Sequence, residues 1–230
     1  MIKSLSVFFP VFNEEKNLEK TVLNAVAVLK KFKIIWEILI IDDGSNDKSE
    51  QLANKLAQKY SEIKVFHQQN GGYGMAVRAG LTKAKCEWIV YTDADGQFDF
   101  SEIANFFSVC HRTDAIWGYR LKRQDPFYRL LFSYFWGISV RLLTGINLKD
   151  INCGFKMFKK SAIEKIGPLK STRGAMINPE LALKLKKSGF KILEVGVNHY
   201  PRLFGRPTGA GLKVIFQSYL ELFQLWLKNF

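Results

Sequence analysis

Two carboxylates and a carboxamide stand at alternate positions near the middle of the chain. Asp93, Asp95 and Gln97 follow directly on an apolar segment, residues 87–91, which predicts a β-strand. Hard cations such as Mg²⁺ and Mn²⁺ prefer oxygen ligands, and Mg²⁺ needs only one or two carboxylates when substrate phosphates complete its shell. The spacing therefore indicates a divalent metal ion held against a nucleotide diphosphate, although the same triplet by itself is also a common turn or helix cap.

Two more polar clusters occupy equivalent places in the pattern. Residues 10–15, Pro-Val-Phe-Asn-Glu-Glu, follow the first predicted strand, so backbone amides and the positive end of the next helix are expected to face a ligand. The alternative is a simple N-cap at Asn13. Residues 42–45, Asp-Asp-Gly-Ser, follow the second strand, and a carboxylate there can accept hydrogen bonds from a nucleotide base. The alternative is a turn with Gly44 at positive φ.

The elements that position these clusters alternate along the chain. Strand-like and helix-like periods follow one another at residues 5–9, 14–31, 36–41, 48–60, 64–67, 73–84 and 88–91. This alternation predicts an α/β fold with a mainly parallel sheet and flanking crossover helices. Because such sheets bind ligands at the carboxyl ends of their strands, all three clusters are expected at one edge.

The second half is less regular and more aromatic. We predict further strands near residues 115–119, 153–158 and 191–197, helices near 101–112 and 176–188, and amphipathic aromatic helices over 125–145 and 211–230. Basic groups beside exposed aromatic side chains are typical of helices that lie on anionic membranes. The alternatives are that these helices pack into the core or form a homodimer face.

Composition limits the classes of partner. The chain has 34 Lys and Arg against 21 Asp and Glu, a formal charge of +13, which points to nucleic acid, an acidic membrane surface or phosphorylated substrates. We do not expect nucleic acid, because the basic residues are scattered and no recognised nucleic-acid motif is present. Three widely spaced cysteines favour neither a zinc site nor disulfides, and thus a reducing compartment. We find no leader and no apolar run of about 18 residues, so we expect a soluble or peripheral protein.

The order and spacing of the three clusters resemble the nucleotide-sugar half of the family 2 glycosyltransferases, which have the GT-A fold. The resemblance covers residues 4 to about 120. It implies that a nucleotide sugar, GDP- or UDP-linked, is bound by a set of residues at the predicted edge: Pro10, Phe12, Glu14, Ile41, Asp43, Asp93, Ala94 and Asp95. It also implies that Asp93, Asp95 and Gln97 hold Mg²⁺ or Mn²⁺.

The second half resembles the branch that contains dolichyl-phosphate mannose synthases and polyprenyl-phosphate glycosyltransferases. Its motifs here are Gly118-Tyr-Arg, Arg129-x-x-x-Ser133, Asp150-x-x-Cys-Gly-Phe-Lys and Arg202-x-x-Gly205. By resemblance, Arg120 and Arg202 hold phosphates of the nucleotide sugar, and Arg129 and Ser133 contact the phosphate of a lipid acceptor. A guanidinium suits phosphate because it donates two parallel hydrogen bonds. The alternative for Arg129 and Ser133 is a solvated helix face.

The activity implied by this resemblance is inverting transfer of a sugar to dolichyl or undecaprenyl phosphate, with Asp93, Asp95, Arg129 and Arg202 as the catalytic residues. A phosphate nucleophile is already an anion and needs no strong base. If the acceptor were instead a sugar hydroxyl, Glu180 is a candidate base. A non-catalytic relic of the fold is a further alternative, which the intact acidic triplet disfavours.

The same resemblance organises the chain into a catalytic domain, residues 1–210, and a C-terminal helix, residues 211–230. The domain comprises a nucleotide-sugar half, 1–120, and an acceptor half, 121–210. The expected location is the cytoplasmic face of an anionic membrane, with a homodimer or a separate membrane subunit as possible partners. The chain departs from the mannose synthases by having Pro207-Thr208 where they have Ser-Lys, with Arg206 nearby. It lacks the Gln-x-x-Arg-Trp motif of polymer synthases.

Overall fold

The computed structural model describes residues 2–123, 127–172, 174–205 and 212–227, without the side chains of residues 127–129, 175 and 212–216. The strands of this part of the chain are β1 (Ser4–Val11), β2 (Ile35–Asp42), β3 (Ile63–His67), β4 (Trp88–Tyr91), β5 (Ala115–Arg120), β6 (Lys156–Lys159) and β7 (Ile192–Val197). They form one sheet in the order β3-β2-β1-β4-β6-β5-β7. The predicted α/β fold is therefore confirmed.

The sheet is parallel except at one strand. β1 pairs in parallel with β2 and β4, and β5 pairs in parallel with β7, whereas β6 runs antiparallel between β4 and β5. Consequently β6 begins at the edge where its neighbours end, and its leading loop joins the polar clusters there. The sequence predicted a strand in this segment, but residues 153–155 belong to the loop.

The helices cover both faces of the sheet. Those in the described segments are α1 (Leu18–Leu29), α2 (Ser49–Lys59), α3 (Tyr73–Lys83), α4 (Ile103–Val109), α5 (Phe127–Thr144), α6 (Lys160–Ile166), α7 (Ile177–Lys187) and α8 (Leu212–Leu227). α6 was not predicted from the sequence, because it has only two turns. The helix predicted near residues 101–112 is shorter in the structure, since short 3₁₀ turns flank α4.

Strand alternation sends successive side chains to two separate cores. In β2, Ile38 and Ile40 pack with α1, α2 and α4, while Leu39 and Ile41 pack on the opposite face with α3, α7 and their neighbours. All four side chains are essentially buried. Because both faces of β2 are buried, the strand shows no alternation of apolar and polar residues. Packing on both faces also fixes the edge of the sheet where the polar clusters lie.

The two aromatic helices pack against each other as well as on the sheet. The Trp136 ring of α5 meets Tyr219 of α8 edge-on at 5.3 Å, and Leu222 is fully buried. Other side chains of the pair face outward: Phe135 and Leu142 on α5, and Phe223 and Leu227 on α8 are about half exposed or more. None of the helices in the described segments is long and apolar enough to cross a bilayer.

Candidate active site

The polar clusters meet at the carboxyl ends of β1, β2 and β4. The strand order runs from β1 to β2 and β3 on one side and from β1 to β4 on the other, so the connections diverge between β1 and β4. A crevice opens where the strand order reverses in this way, and ligands of α/β sheets bind there. Residues 10–14, 42–45 and 93–97 surround this crevice.

The first two clusters are tied to each other. Asn13 has a left-handed backbone, φ +57°, and its amide donates to Ser45 Oγ at 3.0 Å. Its side-chain Oδ1 accepts from the amide of Asn46 at 2.7 Å, and the amide of Glu14 donates to Ser49 Oγ at 2.8 Å. Asn13 therefore does not cap α1, which begins at Leu18. The expectation that these amides face a ligand is wrong for residues 13 and 14, because Ser45 of the second loop and Ser49 at the start of α2 accept from them.

Asp43 is buried and accepts three hydrogen bonds. Its Oδ1 accepts from Gln68 Nε2 at 2.6 Å and from the amide of Gly71 at 2.9 Å, and its Oδ2 accepts from the amide of Gly72 at 2.8 Å. A carboxylate offers about four lone-pair positions. Protein donors thus occupy three of these positions on Asp43. The fourth position, on Oδ2, is left with a fixed direction.

The acidic triplet lies at the end of β4 in a half-buried position. Asp93 Oδ1 accepts from the Tyr73 hydroxyl at 3.0 Å. The carboxylate also lies against Gly154 in the loop before β6, where a Cβ atom would overlap Asp93 Oδ2 at 2.1 Å. Burial and the neighbouring charge of Asp95 raise the pKa of Asp93 to about 7. Burial also raises the pKa of Asp95.

A distant arginine neutralises part of this charge. Arg202 Nη1 donates to Asp95 Oδ2 at 3.3 Å, and Nη2 donates to Glu14 Oε1. Gln97, a predicted metal ligand, donates its side-chain Nε2 to the carbonyl of Tyr200 at 3.0 Å. The segment around residues 200–202 therefore contacts the triplet, and Arg202 links Asp95 to Glu14.

The other residues predicted to contact the nucleotide differ in how deeply they are buried. Pro10 and Phe12 are half-buried at the end of β1. Ile41 is fully buried in the core, and Ala94 is 2% exposed, so neither side chain lines an open crevice.

Arg120 is held by a partner that the analysis of the sequence did not foresee. Its Nε and Nη2 donate to the two oxygens of Asp150 at 2.6 and 2.9 Å. Burial would raise the pKa of Asp150, but the hydrogen bonds and charge of Arg120 outweigh it and hold that pKa below its ordinary value. This pair joins the end of β5 to the loop before β6.

A cavity of about 280 Å³ adjoins that pair. Its lining includes three cations, the Ser133 hydroxyl and the Asp150 carboxylate that pairs with Arg120, together with apolar groups such as Leu130 and Leu148; the cations are Arg120, Arg123 and Lys149. Arg123 Nη1 donates to Ser133 Oγ at 2.6 Å. The cavity can therefore take an anionic group next to an apolar one. The side chain of Arg129 and all of residues 206–208 lie outside the described residues.

Lys156, which belongs to the Asp150-x-x-Cys-Gly-Phe-Lys motif, is a buried cation. It is 0% exposed, its Nζ donates to the carbonyl of Cys153 and to Asn178 Oδ1, and it lies over the rings of Tyr91 and Trp117. Burial lowers its pKa to about 8, while the charge of Asp93 opposes that shift. The feature of the sequence that could have revealed this buried cation is a lysine within an otherwise apolar segment that was predicted as a strand.

Glu180 is 2% exposed and already engaged. Its Oε1 accepts from the amide of Lys170 at 2.7 Å, and its Oε2 accepts from the amide of Ser171 at 2.7 Å.

One other group in the described residues has the composition of a metal site. Asp42, Glu50 and His67 bring ligand atoms within 4.8 Å of one another. His67 Nδ1 lies 2.9 Å from Asp42 Oδ2, and its Nε2 lies 3.0 Å from Asn54 Oδ1. These contacts join the ends of β2 and β3 to α2.

Comparison with known proteins places these features in context. The family model "Glycosyl transferase family 2" matches residues 6–167. An undecaprenyl-phosphate 4-deoxy-4-formamido-L-arabinose transferase of Pectobacterium atrosepticum is 30% identical over 221 residues, which cover 95% of this chain and 66% of that protein. A dolichyl-phosphate beta-glucosyltransferase of Dictyostelium discoideum is 29% identical over 84% of this chain and 65% of its own length. The chain thus spans about two thirds of these relatives.

Solved structures share the fold. Glucosyl-3-phosphoglycerate synthase of Mycobacterium tuberculosis, in complex with Mn²⁺, uridine diphosphate and glucosyl-3-phosphoglycerate, matches with a TM-score of 0.69 at 17% identity. The match covers 98% of this chain and 79% of that one.

Proposed function

This chain belongs to glycosyl transferase family 2, and from that premise we propose that it transfers a sugar from a nucleoside diphosphate to a polyprenyl phosphate, with inversion at the anomeric carbon. The named activities of the two relatives, on undecaprenyl phosphate and on dolichyl phosphate, support this acceptor class. The proposed division is a nucleotide-sugar half, residues 1–120, an acceptor half, 121–210, and the helix at 211–230.

The observation that carries the proposal is the pair of crowded carboxylates at the end of β4. Burial, and after it the charge of Asp95, raises the pKa of Asp93 to about 7, against the lowering effects of Lys156, Tyr73 and Arg120. Two such oxygen donors fit Mg²⁺ or Mn²⁺, and Mn²⁺ is bound in a solved structure of the same fold. We propose that Asp93 and Asp95 hold this ion, with Gln97 beside them. When bound, the ion would supply positive charge to the departing diphosphate.

The residues of the chain share the remaining work. We propose that Arg202 moves its guanidinium from Asp95 and Glu14 to the diphosphate once a cation compensates those carboxylates, since a guanidinium pairs well with phosphate. Glu14 then keeps the hydrogen bond that it accepts from Asn17 Nδ2 at 2.8 Å. Charge stabilisation of the leaving group is the main contribution expected from such a site.

Asp43 supports a uridine nucleotide. One lone-pair position of its carboxylate remains beside the three that the protein occupies. Uracil presents a single ring N–H, whereas guanine presents a ring N–H and an amino group side by side and needs both carboxylate oxygens. We therefore propose a uridine diphosphate sugar as the donor substrate.

The cavity beside α5 supports a lipid phosphate acceptor. Arg123 is hydrogen bonded to Ser133 there, Lys149 adds positive charge, and Arg120 is paired with Asp150, which also lines the cavity. An acceptor phosphate oxygen is an anion and attacks without a general base, so positioning matters more than proton transfer. The half-exposed apolar side chains of α5 and α8 lie on the helices that line or adjoin this cavity, which fits a peripheral location on the cytoplasmic face of an anionic membrane.

The test is a direct assay of transfer. The protein would be incubated with Mn²⁺ or Mg²⁺, a panel of nucleotide sugars and undecaprenyl or dolichyl phosphate, followed by chromatography of the lipid fraction. A sugar-linked lipid that forms only with a divalent ion is the expected product. Absence of product with every combination, from protein that retains its fold, would count against the proposal.

A further inference from the structure

We infer that Glu180 is a positioning residue that holds the first turn of α3 in place through a short strap, residues 170–172. The inference rests on the nucleotide and metal site proposed above. Both oxygens of Glu180 accept backbone amides of the strap at 2.7 Å, from Lys170 and Ser171. Hydrogen bonds to an ionised acceptor are strong, and a carboxylate that is 2% exposed needs such partners.

The strap lies directly on α3. The carbonyl of Thr172 accepts from the amide of Met75 at 2.9 Å. A Cβ atom at Gly74 would lie 2.7 Å from that carbonyl oxygen and 2.9 Å from the carbonyl oxygen of Ser171. Backbone therefore packs on backbone, with no space for a side chain between them. Any movement of the strap is transmitted to the start of the helix.

Residues at the start of α3 contact both carboxylates that we assign to the nucleotide site, Asp43 and Asp93. The amides of Gly71 and Gly72 donate to Asp43, which we assigned to the base. The Tyr73 hydroxyl donates to Asp93 at the proposed metal site, and burial together with the Asp93 charge raises the pKa of Tyr73 well above its ordinary value. Residues 71–75 thus connect the base carboxylate, the metal carboxylate and the strap.

This geometry separates Glu180 from a general base. A base needs a lone pair directed at the proton that it removes. Glu180 is instead 2% exposed, its oxygens accept the strap amides, and Lys184 Nζ lies 3.9 Å from Oε1, so its contacts with the site are indirect. A positioning role predicts that changing Glu180 weakens nucleotide binding, whereas a base would affect turnover and leave nucleotide binding unchanged.

The experiment compares Glu180→Gln with Glu164→Gln, a matched change at an exposed glutamate of α6 whose ion pair with Lys160 is 3.7 Å long. Binding of UDP and of GDP in the presence of Mn²⁺ would be measured by calorimetry. The glutamine places an NH₂ group against a strap amide, so we expect at least about fivefold weaker binding. Hydrogen exchange at Lys170, Ser171 and Met75 should be faster. The Glu164 variant should bind as wild type.

A second variant, Gly74→Ala, tests the same contact from the other side. Alanine favours a helix, so weaker nucleotide binding would come from its clash with the strap and not from helix propensity. Because both changes act through one contact, their combined loss should be smaller than the sum of the two losses. If Glu180→Gln fails to fold by circular dichroism, Gly74→Ala carries the test.

The outcomes are distinct. Unchanged nucleotide affinity in Glu180→Gln, or wild-type affinity and exchange in Gly74→Ala, would overturn the inference alone. Wild-type protein that binds neither UDP nor GDP with Mn²⁺ would overturn the proposed function, and the inference with it.

Discussion

Asp93 and Asp95 gain their chemistry from what surrounds them. Both are half-buried, and Arg202 reaches Asp95 while Tyr73 reaches Asp93. Burial and the nearby charge of Asp95 together raise the pKa of Asp93 to about 7. A divalent ion relieves that repulsion, so binding of the metal and of the diphosphate are expected to be coupled.

We predict that Asp95→Asn lowers kcat at least about 100-fold, because it removes a charged metal ligand while keeping the shape of the side chain. It also removes repulsion with Asp93, so the melting temperature should not fall. Transfer assays and thermal melts check both parts. Asp99→Asn is the control, since Asp99 accepts from Ser101 at the start of a 3₁₀ turn and asparagine can cap as well. Retained activity in Asp95→Asn would contradict the metal assignment.

Protein donors already occupy three acceptor positions of the Asp43 carboxylate, and this leads to a prediction about which nucleotide base the site selects. UDP should bind at least about tenfold more tightly than GDP, because guanine would have to displace a protein donor and leave it unpaired. Gln68→Ala removes the 2.6 Å contact to Oδ1 and should narrow the difference. Competition calorimetry with the two nucleotides measures both effects. Equal affinities in the wild-type protein would show that Asp43 does not select the base in this way.

The loop that leads into β6 matters because β6 runs against its neighbours. Its reversed direction brings Asp150, Gly154 and Lys156 to the carboxyl edge, where Asp150 pairs with Arg120 and Gly154 lies against Asp93. A parallel strand in the same place would have delivered its leading loop to the opposite edge.

We predict that Asp150→Asn destabilises the fold by about 3 kcal/mol at neutral pH, because it removes the charge that accepts two hydrogen bonds from the Arg120 guanidinium, whose side chain is only 11% exposed. The pKa of Asp150 is lowered in the fold, so its contribution is complete above the ordinary carboxyl pKa of about 4 and is lost as the pH falls through the lower folded value. Urea unfolding at several pH values should show the difference between variant and wild type shrinking toward pH 3.

Asp114→Asn is the matched control for that measurement. Asp114 pairs with Lys159 at 2.9 Å, but both side chains are more exposed, so the loss should stay below about 1 kcal/mol. A pH-independent effect of Asp150→Asn would contradict the ion-pair explanation.

For the molecule taken together, the feature that bears most on function is the apolar surface of α8, which is partly buried and partly exposed. Leu222 of α8 is fully buried, while Phe223 and Leu227 on the same helix are 49% and 58% exposed. The helix is therefore both a core element and an exposed apolar surface. The alternative that α8 packs into the core is therefore correct for only one face of the helix.

We predict that the double change Phe223→Ser and Leu227→Ser weakens sedimentation with vesicles containing phosphatidylglycerol by about tenfold, since each buried apolar side chain contributes roughly 1.5–3 kcal/mol. The loss of stability should be smaller than for core residues because about half of each side chain is already exposed. Ile35→Ser is the control: Ile35 is 74% exposed at the start of β2, on the edge opposite the site. Vesicle binding that matches wild type would assign this surface to another partner.

Local patterns predicted the nucleotide-sugar half well. β4 has the predicted bounds and α3 begins at the predicted Tyr73, because apolar period and turn residues act over a few neighbouring positions. α1 was misplaced by four residues, since the loop before it is shaped by Ser45 and Ser49 from another part of the chain.

The order of residue types along the chain by itself determined the α/β architecture and the set of acidic and basic groups that gather at one edge. Tertiary structure decided how those groups are used. Arg202 meets Asp95 across 107 positions, Arg120 meets Asp150 across 30, and Glu180 is directed to a strap and not into the crevice. The reason is that backbone periodicity depends on near neighbours, whereas the charge and protonation of a buried group depend on partners that only folding brings within hydrogen-bonding distance.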